Sequence, residues 1–424
     1  GTWGTSTNTN LELIAEKFGT GSEALSDAST ATLTMADGAS DAFRSMALTL
    51  TGSLSQACTV TLAPNTLSNV WVVQNSAGNT VTLSQGTGAN VVIPNGGIRM
   101  VATDGAGSGA AVTDVLDVLG GTGNVGLGSG AFGTGLTTGT DNVAIGENAG
   151  DALTTGSDNT FVGDEAGGAT TTGSNNVAIG SAAFDANTTG ANNVAVGVAA
   201  LDANTTASDN TAVGYGALTA NTTGTRNVAV GTSALAATTT GDRNTAVGYQ
   251  AGDAITTGER NTLVGDNAGS GVTTGVRNIA MGEQALLTNS TGDYNTALGT
   301  FALINNTTAD ENTAVGYSSL FENTTGASNT SVGYRALLTN STASYNTAMG
   351  KDALRLNTTG AQNTALGFGA MDANTTASSN TAVGYAALLS NTTGEVNSAF
   401  GHSALYTNTT GYGNTAVGKN ALYT

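Results

Sequence analysis

Asparagine, glycine and apolar residues recur at a fixed interval along residues 124–424. The pattern begins at Asn124 and restarts on Asn at 142, 159, 176 and so on to 414; the first interval is eighteen residues and every later one is seventeen. Counted from its Asn, each of the eighteen units has an apolar residue at position 4, Gly at position 5 and Ala at position 8, except for Ser319. This interval is too short for two helices and a turn. Its β-branched residues and its Gly and Asn corners predict a parallel β-solenoid with two short strands per coil.

The alternation of side chains along a strand predicts which positions face the interior. Position 4 is apolar in every unit, and we expect it to point into the coil. Position 3 is Ala, Gly or Ser except at Phe161 and Leu263, and we therefore expect it to point outward, against the backbone of another chain. A coil of seventeen residues also encloses only a thin core. Both points predict that the chain assembles as a homotrimer.

Stacked coils predict regular contacts along the solenoid. Each Asn at position 1 should hydrogen-bond to the Asn of the next coil, about 4.8 Å away, so that the coils together span about 85 Å. Gly at position 5 should form a corner with positive φ or a close backbone approach. Four units have Gly at position 9, and in these units position 12 is no longer Asn but Leu153, Thr170, Ile255 or Val272. This covariation predicts that positions 9 and 12 fill one interior volume.

The residues before the repeats have a different pattern. Residues 26–118 alternate polar and apolar positions over short segments, and Asn-, Gly- and Ser-rich turns separate these segments. Such a pattern predicts a small antiparallel β domain, either a sandwich or a barrel. Its expected strands are 46–51, 58–62, 70–73, 80–83 and 91–93. A Gly-rich linker is expected at 119–123, followed by the solenoid at 124–424.

Residues 1–25 contain a short segment with helical periodicity. Within residues 10–18, four apolar side chains fall on one face of a helix, namely Leu11, Ile14, Ala15 and Phe18. Thr9 and Glu12 have the spacing of a capping box, and Gly19 lies where a helix would end. Because so short a helix is marginal alone, its apolar face must pack against something. It packs either against the neighbouring domain or, as an attachment segment, against a partner.

Composition restricts the chemistry available to the chain. The net charge is −19 and only 11 residues are Lys or Arg, which disfavours nucleic acid as a partner. No run of apolar residues is long enough to predict membrane insertion. Cys58 is the only cysteine and His402 the only histidine, so neither an internal disulfide nor a Cys/His metal site is expected. There are no paired carboxylates, triad or phosphate loop, so we expect no enzyme activity, no catalytic residue, no metal and no cofactor.

Several motifs resemble those of known fibrous proteins. The units Asn-Thr-Ala-Val-Gly and Asn-Val-Ala-Ile-Gly are similar to repeats in the heads of trimeric autotransporter adhesins, which are trimeric left-handed parallel β-rolls. The arrays of Asn-Thr-Ala-Val-Gly-Tyr and Asn-Thr-Thr-Gly resemble phage tail fibres more closely, and so do segments within residues 3–18 and 73–105. This second resemblance extends over nearly the whole chain.

The resemblance to tail fibres implies a non-enzymatic structural fibre that projects from the virion for host attachment. The N-terminal region would then bind other tail proteins, and a glycan or protein on the host surface would be the receptor. A bacterial cell-surface trimeric adhesin is the alternative, and an ice- or glycan-binding solenoid is a third. The tyrosines at position 6 would form either an exposed row for glycan stacking or a packing ladder; they are Tyr215, Tyr249, Tyr317, Tyr334 and Tyr385.

Four successive units carry arginine at position 17, namely Arg226, Arg243, Arg260 and Arg277. In a solenoid they would form a column of like charges about 4.8 Å apart. Because such charges repel one another, we expect carboxylates of neighbouring coils or of a neighbouring chain, such as Asp253 or Asp266, to interleave with the column. The alternative is that the arginines extend into water, where each contributes little to stability.

Overall fold

The computed structural model describes residues 13, 15–35, 41–114, 123–133 and 136–423. The chain divides into two units, residues 1–118 and residues 119–424. The predicted all-β fold with a parallel β-solenoid is confirmed. Part of the predicted helix is present, since Leu13 and residues 15–17 are helical, while residues 10–12 and Ile14 lie outside the described residues. Residues 119–122 of the predicted linker also lie outside them.

The N-terminal unit contains nine described strands and two short 3-10 helices, Ala42–Arg44 and Gly107–Gly109. The strands are β1 (Thr20–Leu25), β2 (Thr30–Thr34), β3 (Ala47–Gly52), β4 (Cys58–Ala63), β5 (Ser68–Ser76), β6 (Val81–Ser84), β7 (Val91–Ile93), β8 (Ile98–Asp104) and β9 (Val112–Asp114). β1 lies within the predicted attachment segment of residues 1–25 and pairs with β3. The β domain therefore begins at Thr20, before the expected boundary at residue 26.

These strands form two sheets, with orders β1-β3-β5-β8-β9 and β2-β4-β6-β7. The pairs β1–β3, β3–β5, β2–β4 and β4–β6 are parallel, and only β5–β8, β6–β7 and β8–β9 are antiparallel. The expectation of an antiparallel domain is thus wrong for the first six strands. The reason is that successive strands alternate between the sheets, so that neighbours in a sheet are two strands apart in the chain and run the same way. Alternating hydrophobicity does not show which sheet a strand joins or whether it runs parallel to its neighbour.

Both sheets of the N-terminal unit contribute to one core. Leu50 and Trp71 of the first sheet and Val60 and Leu83 of the second belong to the same buried cluster. Trp71 is fully buried, its ring stacks on Phe43 at a centroid distance of 4.9 Å, and its Nε1 donates a hydrogen bond of 2.9 Å to the Phe43 carbonyl oxygen. The two-sheet packing agrees with a sandwich-like domain.

The second unit is a stack of eighteen coils, numbered here from 1 at Asn124, and their strands form one parallel sheet in chain order. Each coil contributes one strand of three residues, at positions 2–4: β10 (Val125–Leu127), β11 (Val143–Ile145), β12 (Thr160–Val162), β13 (Val177–Ile179), β14 (Val194–Val196), β15 (Thr211–Val213), β16 (Val228–Val230), β17 (Thr245–Val247), β18 (Thr262–Val264), β19 (Ile279–Met281), β20 (Thr296–Leu298), β21 (Thr313–Val315), β22 (Thr330–Val332), β23 (Thr347–Met349), β24 (Thr364–Leu366), β25 (Thr381–Val383), β26 (Ser398–Phe400) and β27 (Thr415–Val417).

The expected second strand of each coil is absent from the described residues of the solenoid. Positions 7, 9 and 17 adopt the left-handed region in most coils, as at Gln250 (φ 50), Leu218 (φ 52) and Arg226 (φ 59). Because a strand requires extended backbone, these residues turn the chain instead. The remainder of each coil is therefore a series of turns whose backbone groups bond to the preceding and the following coil.

The strand faces are opposite to the prediction. Position 3 is buried in all eighteen strands, and positions 2 and 4 are half-buried or exposed. Alternation alone gives two faces but does not say which of them is inside. Small residues occupy position 3 because the interior is narrow and the side chain of position 9, such as Leu218, fills it. Position 3 therefore does not meet another chain, and that prediction is wrong.

Phe161 and Leu263, the two large residues at position 3, are accommodated by glycines. A Cβ atom on Gly150 or Gly167 would lie 2.7 or 2.6 Å from the Phe161 ring, and one on Gly252 or Gly269 would lie 2.6 Å from a methyl carbon of Leu263. Each large side chain thus uses the space that position 9 leaves in two coils. Position 12 shares this volume, as predicted, since the same Cβ on Gly252 would lie 3.2 Å from Ile255 Cδ1.

Buried asparagines form two ladders along the solenoid. At position 1, the backbone N–H of Asn210 donates to Oδ1 of Asn193 at 3.0 Å, and its Nδ2 donates to the Gly224 carbonyl oxygen at 2.9 Å. This predicted ladder is confirmed. A second ladder, which the sequence reasoning missed, links position 12, where Nδ2 of Asn221 donates to Oδ1 of Asn204 at 2.9 Å. Each coil is thereby held in one register with the next.

Candidate functional site

The outer face of the solenoid sheet consists of positions 2 and 4 and contains no charged residue in any coil. Val, Ile, Leu, Met or Phe occupies position 4 throughout, and Ile145 and Met281, for example, are 39% and 47% exposed. Position 2 is Val, Ile, Thr or Ser. On a chain with a net charge of −19, this uncharged outer face is the surface best suited to contact another apolar surface.

The position 6 side chains of coils 12–17 form an aromatic column along a second surface. Tyr317 stacks on Tyr334 with ring centroids 5.6 Å apart, and Phe368 stacks on Tyr385 at 5.2 Å. Tyr385 also stacks on His402 at 4.9 Å. Between the two groups of rings, Lys351 Nζ lies 5.6 Å from the ring centroids of both Tyr334 and Phe368. The column is therefore continuous, with one cation inserted among the rings.

This stacking distinguishes between the two roles considered for the tyrosines. Both faces of Tyr385 are covered by neighbouring rings, and Tyr334 lies between Tyr317 and Lys351. A sugar that stacks on a ring needs an open face, so these side chains favour the packing ladder. Tyr215 and Tyr249 are 64% and 52% exposed, and Thr232 separates them at position 6.

A groove of about 360 Å³ lies beside the start of the aromatic column. It combines apolar walls with one acidic and one basic side chain, and its lining residues are Phe301, Tyr317, Ser318, Phe321, Glu322, Arg335 and Leu338. The Arg335 guanidinium is already engaged, since its Nε is 3.7 Å from an oxygen of Asp352 and the group lies 5.6 Å from the Tyr334 ring centroid. The groove therefore offers a ligand mainly apolar contacts.

The arginine column at position 17 is present, but the predicted interleaving is wrong within the chain. Arg226, Arg243, Arg260 and Arg277 are all exposed. Among the described residues, no carboxylate oxygen lies within 4.0 Å of their side-chain nitrogens. Arg277 instead donates a hydrogen bond to the Tyr294 hydroxyl and lies 5.2 Å from that ring's centroid.

The carboxylates proposed as partners lie elsewhere on the coil. Asp253 occupies position 10, where burial raises the pKa of its carboxyl, and Asp266 occupies position 6, where it bonds to the side chain of Asn267. Asp242 is adjacent in sequence to Arg243, but its Oδ1 accepts hydrogen bonds from the backbone N–H and the hydroxyl of Thr225. These arginines therefore lack carboxylate partners, because Asp253 and Asp266 lie at other positions of the coil and Asp242 bonds to Thr225.

The remaining arginines of the solenoid are paired. Arg355 binds Asp372 through two hydrogen bonds, Nε to Oδ1 at 2.7 Å and Nη2 to Oδ2 at 3.1 Å, and Arg335 contacts Asp352. The hydrogen bond from Asp372 raises the pKa of the Arg355 guanidinium. Pairing is therefore possible on this scaffold, and its absence is confined to the column at coils 6–9.

Coils 2–5 carry an acidic surface. Burial raises the pKa of Asp185, and the charges of Glu165, Asp202 and Asp151 add to the effect. The described residues nevertheless include no group of three or more His, Cys, Asp or Glu side chains placed to hold a metal ion. Like charges gathered in this way repel polyanions from these coils.

The N-terminal unit has an open groove of about 660 Å³ beside the predicted attachment helix. Lys17, Arg44 and several apolar residues line it, including Phe18, which is 74% exposed. Burial lowers the pKa of the Lys17 ammonium, whose Nζ hydrogen-bonds to Asn69 and lies 5.9 Å from the Trp71 ring centroid. The groove therefore combines apolar walls with two cationic side chains, Lys17 and Arg44.

Cys58 and His402, the only cysteine and the only histidine of the chain, each pack within a cluster of side chains. Cys58 is buried in the N-terminal core, and burial raises the pKa of its thiol, which disfavours the reactive thiolate. His402 is a member of the aromatic column, where its Nδ1 contacts the Ser403 hydroxyl at 3.1 Å. No helix in the part of the chain that the structure describes is long and apolar enough to cross a membrane.

Comparison with known proteins adds no relative: no family model, no curated protein and no solved structure matches the chain.

Proposed function

We propose that the chain is a non-enzymatic structural fibre of a phage tail, which projects from the virion and attaches to the host surface. The observation that carries this proposal is the uninterrupted stack of eighteen coils, each bonded to the next through buried amide ladders. A parallel sheet of that size spans about 85 Å. Such a stack is a stiff spacer. The repeat motifs that resemble tail fibres support its assignment to a virion.

The assembly that we propose is a homotrimer whose copies meet through the uncharged outer face of positions 2 and 4. The sequence pattern predicted that position 3 lies at the interface between copies, but position 3 is buried in the coil, and this outer face takes its place. A strip about 85 Å long and about 10 Å wide would bury roughly 800 Å² per copy, which is the area of a standard interface. Because no charge would be desolvated, burial of the apolar side chains at position 4 would be favourable.

Mass measurement in native buffer tests the assembly. The purified chain should have three times the monomer mass, and Val213→Arg should shift it to the monomer by placing a charge in the outer face. Thr223→Arg, on an exposed position of the same coil, is the control and should leave the trimer intact. A stable monomer of the unchanged chain would contradict the proposal.

The place of the chain in a particle is tested by electron microscopy with gold-labelled antibodies against residues 136–423. Labelled fibres on virions are the expected result. Label on cell envelopes without virions would instead favour the bacterial adhesin. In the virion, removal of residues 1–12 tests attachment through the N-terminal region, because it leaves β1 and its pairing with β3 in place. Particles that still carry the shortened fibre would exclude that segment as the anchor.

An ice-binding solenoid remains a second candidate because of one observation. Position 2 is threonine in six successive strands, β20–β25, and faces outward from a regular sheet. Ice recrystallisation assays on the purified chain separate this candidate from the fibre, since only an ice-binding face would block crystal growth.

A further inference from the structure

The arginine column of coils 6–9 is held in place by the backbone. The amides of Arg243, Arg260 and Arg277 donate to carbonyl oxygens of the preceding coil at 3.0 Å, and Arg226 donates in the same way at 3.4 Å. All four residues have φ values between 56° and 59°. The scaffold thus fixes where each side chain starts, with the next one about 4.8 Å further along the solenoid.

The column is unfavourable for the isolated chain. Like charges at this spacing repel, and in most other coils position 17 is a neutral or acidic residue. No carboxylate among the described residues lies within 4.0 Å to compensate, although Arg335 and Arg355 do have such partners. Four successive arginines are therefore poorly explained by the stability of the coil.

We infer that these four arginines form a binding strip for an acidic polysaccharide. Each guanidinium can bind a carboxylate or sulfate through paired hydrogen bonds. The regular advance from coil to coil suits a linear polymer that carries one anionic group per repeat. The inference deepens the host attachment proposed above by naming a site and a ligand class, and it rests on that function only for the biological source of the polymer.

The neighbouring side chains favour a saccharide over a nucleic acid. Three residues before each arginine, an exposed threonine offers a hydroxyl that can bond to sugar hydroxyls; these are Thr223, Thr240, Thr257 and Thr274. Single-stranded nucleic acids require aromatic platforms for their bases. The only aromatic residue that continues the column is Tyr294, which Arg277 already contacts. Asp242 and Glu259, next to the column, can accept hydrogen bonds from sugar hydroxyls.

The test measures binding of polygalacturonic acid and dextran sulfate to the purified full chain by titration calorimetry at low and moderate salt. We expect binding that weakens with salt, and no binding of neutral dextran. Arg243→Gln with Arg260→Gln should lower the affinity at least tenfold. Arg243→Lys with Arg260→Lys, which keeps the charge but loses the paired hydrogen bonds, should lower it by a smaller factor. Circular dichroism and melting curves confirm that each variant is folded.

The matched control is Arg335→Gln with Arg355→Gln, which changes the net charge equally but removes paired arginines. Its affinity should stay within about threefold of that of the unchanged chain. An equal loss in control and column variants would overturn the inference, because binding would then follow net charge alone. If the chain binds neither acidic polymer, the inference is also overturned, but the proposed function as a fibre is not affected. Tighter binding of a thymidine oligonucleotide would show instead that the strip binds nucleic acid, and it would overturn the inference.

Discussion

The two units of the chain bury their interiors in different ways. The core of the N-terminal unit is built from large side chains, such as Trp71, Phe43 and Leu50, that come from strands of two sheets. The solenoid core is mostly alanine, leucine and buried asparagine, repeated coil after coil. A change in the first should leave a cavity in a single core, whereas a change in the second interrupts a series of equal contacts.

The largest effect should come from Ala212→Arg. Ala212 is fully buried at position 3, so the substitution places an unpaired charge and a long side chain inside a narrow coil. We expect a loss of more than about 4 kcal/mol and separation of the coils on either side. Proteolysis should then cut near residue 212. Thr223→Arg, which is exposed in the same coil, should behave like the unchanged chain. Equal resistance of both variants would show that position 3 is not interior.

Trp71→Ala should weaken only the N-terminal unit. It removes a fully buried ring together with its hydrogen bond to the Phe43 carbonyl oxygen, and such cavities cost about 3–5 kcal/mol. In calorimetry, the transition of the N-terminal unit should move to lower temperature while that of the solenoid stays. Val92→Ala, at a side chain that is 55% exposed, is the control. A shift of both transitions would mean that the units unfold together.

The smallest predicted change is a gain in stability from Thr238→Asn. The second asparagine ladder stops at this coil, where Asn221 Oδ1 and Thr238 Oγ1 are buried without a hydrogen-bond partner among the described residues. An asparagine at 238 can donate to Asn221 Oδ1 and to the Gly241 carbonyl oxygen, as position 12 does in other coils. We expect a gain of about 1 kcal/mol in thermal denaturation. Thr240→Asn, on the exposed side, should change nothing.

The sequence was sufficient for the features that depend on the period. The asparagines every seventeen residues predicted the parallel register and the first ladder, because identical residues stack only when the coils are aligned. The covariation of positions 9 and 12 predicted their shared volume. It did not show that Phe161 and Leu263 are its cause, since that requires knowing that position 3 faces inward.

Features that depend on direction in space could not be predicted in this way. Alanine at position 3 fits a tight interior as well as a tight interface, so the face was assigned wrongly. In the N-terminal unit, the strand pattern was found but not the alternation of strands between sheets. The arginine column was located by its period, while its partners were not, because Asp253 and Asp266 lie at other positions of the coil. Host attachment, the virion and the homotrimer stay predictions.

The glycines at position 5 have a consequence for how such a chain can change in length. A Cβ on Gly214 would lie 2.5 Å from the carbonyl oxygen of Gly231, the equivalent residue one coil later, and the same near-contact recurs along the stack. Neighbouring coils therefore fit only in one alignment. Adding or removing a whole unit of seventeen residues would preserve every such fit and change the length by about 4.8 Å. An insertion of any other number of residues within these tight corners would disrupt one of the close contacts between neighbouring coils. The length of the solenoid can therefore change only in increments of one whole coil.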